Sequence, residues 1–157
     1  KAEFPMVGKA AIPHAGTFNA HPVTMAAGLA TLRELTPEKY QHLGRLGSEV
    51  RRNLRGLSEE ERIPSSVTGI GSIFRLHFSS VEVTDAETAA KAEELPARLF
   101  DFSMLTRGVS LPRFHSAFCS APMGRKEMNR FKEAAAESLR ELKAGRKTAR
   151  AMTARSA

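Results

Sequence analysis

The chain has 157 residues, a formal net charge of +7 and an apolar share of 41%. That length supports a hydrophobic core without disulfide or metal staples, and the apolar share is that of an ordinary globular domain. A single cysteine, Cys119, rules out an internal disulfide and points to a reducing, cytoplasmic setting; no apolar run reaches the roughly 20 residues that a membrane span needs.

The first residue is Lys and no apolar signal segment follows it, so the sequence reads as starting inside a longer protein. Residues 1–21 carry Gly8, Pro13 and Gly16 and read as loop with room for one short strand. Pro22 suits the first position of a helix, where its missing N–H would have no partner in any case. Val23, Ala26, Ala27, Ala30 and Leu35 then recur at helical spacing, and the small residues Ala26, Ala27, Gly28 and Ala30 leave room for another backbone. A second helix is predicted from Pro37, with Thr36 as its N-cap. Its apolar stripe is Tyr40, Leu43, Leu46, Val50, Leu54 and Leu57, and it is expected to end near Gly56.

Residues 63–66 read as a linker. Over 67–78 the period shortens to two: Phe74, Leu76 and Phe78 alternate with Ile73, Arg75 and His77, as in a half-buried strand. Thr84-Asp85-Ala86-Glu87 is a capping box that opens a third helix, which Pro96 should kink or divide. Its second half, 97–105, runs into the stop signal Arg107-Gly108. Residues 109–111 and 117–121 are short strand candidates. The last helix is predicted over 125–143, with Met128, Phe131, Ala135, Leu139 and Leu142 on one face. This order predicts an α+β fold, with helices packed on one face of a small sheet.

Arg146, Lys147, Arg150 and Arg155 lie in a terminal stretch poor in large apolar residues, which reads as a disordered basic tail. Elsewhere the charges are mixed in sign, as on a solvated surface. The positive balance raises nucleic acid as a possible partner, but this distribution argues against a dedicated nucleic-acid function. A non-catalytic basic module that grips nucleic acid or a protein through this tail is the competing reading from another class.

Gly16-Thr17-Phe18-Asn19-Ala20-His21-Pro22 is the most informative segment. A hydroxyl and backbone N–H groups precede a helix start, where orphan N–H groups and the helix dipole both favour an anion; an ordinary cap by Thr17 or Asn19 is the plainer alternative. Gly69-Ile70-Gly71 lacks the third glycine of a dinucleotide loop and leads into a strand, so it reads as a turn. His115 and Cys119 have a spacing that could hold a metal, but no further ligands cluster with them, so no metal site is expected. Cys119 reads as a small core residue.

The stretch Gly16-Thr17-Phe18-Asn19-Ala20-His21-Pro22-Val23-Thr24-Met25-Ala26-Ala27-Gly28 resembles the "GTF-x-x-NP-x-x-MAAG" segment of class III aminotransferases, in particular the glutamate-1-semialdehyde aminomutase-like branch. Val67-Thr68-Gly69-Ile70-Gly71-Ser72-Ile73-Phe74 is similar to that branch's "V-x-G-x-GS-x-F" strand. The likeness continues at Arg107-Gly108-Val109 and at Phe118-Cys119-Ser120-Ala121.

The resemblance implies a pyridoxal-phosphate (PLP) enzyme of fold type I, an aminotransferase or aminomutase that acts on an amino acid or amino-aldehyde as a homodimer. It implies that 1–35 end the large PLP-binding domain, that 36–143 form the C-terminal small domain and that 144–157 are the basic tail. By match, Gly16 and Thr17 hold the PLP phosphate across the subunit interface. The Schiff-base lysine and the partner of the pyridine nitrogen fall upstream of Lys1, and Lys9 is a surface lysine, so this chain alone is expected to be inactive. Three departures put the aminomutase reaction in question. His21 stands where the family has Asn, His115 stands where the branch has a substrate-facing glutamate, and Ala121-Pro122-Met123 replaces "AHT".

Overall fold

The computed structural model describes residues 16–112 and 116–155, without the side chains of 147–155. The chain divides at Pro37 into two compact units.

The first unit contains helix α1, Pro22–Glu34. Pro22 opens it as expected, and the helix ends at Leu35, whose N–H bonds to the Leu32 carbonyl. None of its residues is buried, although Val23, Met25, Leu29 and Leu32 are large and apolar.

The second unit begins with α2, Pro37–Glu61. The helix passes through Gly56, where a side chain would meet open space, and buries Leu57 and Ser58 one turn further on. The early stop expected at Gly56 is thus overridden by burial. The chain turns instead at Arg62, which takes a left-handed φ of 56°, while the Ile63 N–H bonds back to the Ser58 carbonyl.

The stretch read as one strand is a hairpin. Strand β1, Ser66–Thr68, runs antiparallel to β2, Ile73–His77, with Val67 opposite Leu76. Gly69 and Gly71 have φ values of +143° and +55°, which side chains rarely adopt, so the turn lies where the two glycines are. Arg51 of α2 donates to the carbonyls of Gly71 (2.9 Å) and Ile73 (2.8 Å) and ties this turn to the helix.

Helix α3, Ala86–Ala90, starts at a capping box shifted by one residue from that expected: Asp85 is the N-cap and Thr88 its reciprocal partner. Helix α4, Glu94–Thr106, already contains Pro96 in its first turn, where the missing N–H is cheapest; the break precedes the proline. Residues 109–111 form no strand, and β3 is only Ala117–Phe118, pairing with Phe74 and Ile73. The sheet order is β1-β2-β3.

Helix α5, Arg125–Arg155, runs 31 residues. It continues twelve residues past Lys143, where the sequence led us to expect a disordered tail. Ala144, Lys147, Ala149, Arg150, Ala151 and Met152 are good helix formers, and an existing helix is extended far more easily than a new one is nucleated.

One core joins α2, the sheet, α4 and α5. Val50, Leu54, Phe78, Met104 and Leu139 are almost wholly buried in it, each worth about 1.5–3 kcal/mol against exposure. Phe78 meets Phe100 edge-on, with ring centroids 5.7 Å apart. Phe74, Leu76 and Phe78 alternate towards this core, which leaves Arg75 exposed. The α+β architecture is as expected, with helices against a small antiparallel sheet.

A polar clamp fixes α4 to α5. Arg107 donates to Glu137 (2.8 Å) and to Glu141, and also to the Ser103 carbonyl, while Ser103 Oγ bonds Ser138 and Glu141. The Arg107 guanidinium, then the Ser103 hydroxyl, holds the Glu141 carboxyl below its ordinary range.

Candidate functional site

Residues Gly16 to His21 form a compact turn ahead of α1. The Asn19 N–H donates to the Gly16 carbonyl (3.1 Å) and the His21 N–H to the Phe18 carbonyl (3.2 Å). A Cβ on Gly16 would stand 2.9 Å from Asn19 Oδ1, so the turn closes tightly only with glycine there. Ala20 is held at a φ of 59°, a left-handed conformation that costs an alanine roughly 1–2 kcal/mol. The Phe18 and His21 rings meet edge-on at 5.7 Å.

The start of α1 is bare. His21 is the N-cap and makes no side-chain cap bond, Pro22 occupies the first turn, and that turn carries no acidic residue. Neither Thr17 nor Asn19 caps it, so the plain capping reading fails here. The Thr17 hydroxyl has no partner among the described residues and is exposed. A free hydroxyl, uncapped helical N–H groups and no nearby carboxylate on the helix start form a combination that accepts an anion.

Gly16 and Thr17, consecutive in the chain, both lie exposed at this turn. Lys9 and His115 lie outside the described residues. The left-handed Ala20 has no signature in the sequence, because alanine carries no preference for that conformation.

In the second unit, the motif Val67 to Phe74 is structural. Gly69 lies against β2 so closely that a Cβ would be 2.1 Å from the Ile73 carbonyl oxygen, and the Ser72 carbonyl accepts the Cys119 N–H at 3.0 Å. Cys119 is a buried core residue, and burial pushes its thiol up, away from the reactive thiolate. Among the described residues no group of His, Cys, Asp or Glu could hold a metal, and no helix is long and apolar enough to cross a membrane. The described cations near the end of α5 are paired: Lys143 with Glu61 at 2.8 Å, and Arg146 with Glu93 at 3.1 Å.

No family model matches the chain. Its fold is nevertheless that of known transaminases. It superposes on a transaminase with PLP bound at a TM-score of 0.67 and 32% identity, covering 90% of this chain and 32% of that one. It superposes on a glutamate-1-semialdehyde aminomutase from Pseudomonas aeruginosa PAO1 in complex with PMP at 0.71 and 26% identity, covering 87% and 31%. In sequence it is 37% identical over 131 residues to the glutamate-1-semialdehyde 2,1-aminomutase of Methanothermobacter thermautotrophicus, across 82% of this chain and 31% of that protein.

The chain is thus similar in sequence to glutamate-1-semialdehyde aminomutases and in fold to PLP-dependent transaminases, and it corresponds to the C-terminal portion of these relatives. It spans about a third of the length of the curated relatives it matches.

Proposed function

We propose that this chain serves as the C-terminal portion of a PLP-dependent aminotransferase or aminomutase acting on an amino acid or amino-aldehyde, and that the turn Gly16-Thr17 grips the cofactor's phosphate. The observation that carries this reading is the position of that turn. The pair that resembles the family's phosphate grip sits at an uncapped helix start whose first turn has no acidic residue and whose hydroxyl has no partner among the described residues.

The residues suit the group. Thr17 donates one charge-assisted bond from its hydroxyl, and backbone N–H groups around Gly16 and Thr17 add further donors to a dianion. Gly16 keeps the turn tight enough for a close approach of backbone to ligand. When bound, PLP supplies the electron sink for carbanion chemistry at the amino-bearing carbon. The catalytic lysine and the partner of the pyridine nitrogen are provided from outside these residues. The grip is made across the interface of a homodimer, and His115, which stands in the sequence where the branch has a substrate-facing glutamate, is the candidate substrate residue.

The test is PLP titration of the assembled full-length dimer carrying Thr17→Val or Thr17→Ser. Weakened binding in the first and near-parental binding in the second support the reading. Parental binding by Thr17→Val removes Thr17 from the site.

A further inference from the structure

We draw no further inference here: the strongest candidate, the exposed apolar face of α4 formed by Leu95, Leu99, Phe102 and Leu105, has rim charges already paired within the chain, and nothing in the structure shows what covers it.

Discussion

Gly47 of α2 lies directly beneath Gly71 of the β1–β2 turn: a Cβ on Gly47 would stand 2.0 Å from the Gly71 carbonyl oxygen. The obstacle is backbone that Arg51 already holds in place through the Gly71 and Ile73 carbonyls. Gly47→Ala should therefore destabilise the second unit by about 1–3 kcal/mol through overpacking. Gly44→Ala and Gly56→Ala, on the same helix but facing open space, should be neutral or gain up to about 1 kcal/mol from helix propensity. Urea melts of the three variants check this. Equal behaviour of all three would remove the close approach.

His77 is buried at 5% exposure and bonds through Nε2 to Thr68 Oγ1 at 3.0 Å. Burial, and then the Arg75 guanidinium, lower its basicity. The unfolded chain thus binds a proton below the ordinary histidine value of about 6.5, while the folded chain resists it. The stabilising contribution is complete above that value and is lost as the pH falls from it towards the depressed folded value. Melting temperature should fall between pH 7.5 and pH 5.5, and His77→Gln, which does not titrate, should flatten that part of the profile. An unchanged profile in His77→Gln would locate the acid sensitivity elsewhere.

Leu142 is the last buried core side chain among the described residues of α5, and the helix runs on to Arg155. A chain ending at Arg146 should lose helical ellipticity in proportion to the nine helical residues removed, while its urea midpoint moves by less than about 0.5 kcal/mol in free energy. A large loss of stability would mean that the terminal turns pack on the unit.

For the cofactor turn, Thr17→Val in the full-length dimer should cost about 1.5–3 kcal/mol, or roughly ten- to a hundred-fold in PLP affinity. Thr17→Ser should retain most of it. The 157-residue chain on its own should show no transamination or aminomutation in an absorbance assay with PLP. Turnover abolished by Lys9→Ala would place the catalytic lysine within this sequence.

Much of the fold is legible in local chemistry. Pro22 and Pro37 fix two helix starts, and the alternation Phe74-Leu76-Phe78 identifies the inward face of β2. What is not legible depends on contacts remote in sequence. Gly56 looks like a stop, but Leu57 and Ser58 are drawn into the core, and the turn moves to Arg62. Residues 109–111 have strand composition, yet among the described residues β2 is paired on that side only by Ala117 and Phe118. The basic segment after Lys143 looks disordered by composition, because composition does not register a helix already formed before it. At the candidate site, Gly16 and Thr17 could be named from the motif, whereas the absence of any cap on α1 and the backbone of Ala20 could not.

Ala20 carries a further consequence. Its left-handed backbone is disfavoured by roughly 1–2 kcal/mol, and every described residue from Gly16 to Glu34 is exposed, so little within this segment holds it there. If the free turn leaves this arrangement part of the time, the apparent dissociation constant of an anion bound there is the intrinsic one divided by the fraction that remains. Ala20→Gly, which adopts either hand with little strain, alters the population rather than the contacts. It thereby separates how readily the turn is found in its gripping form from how firmly it grips.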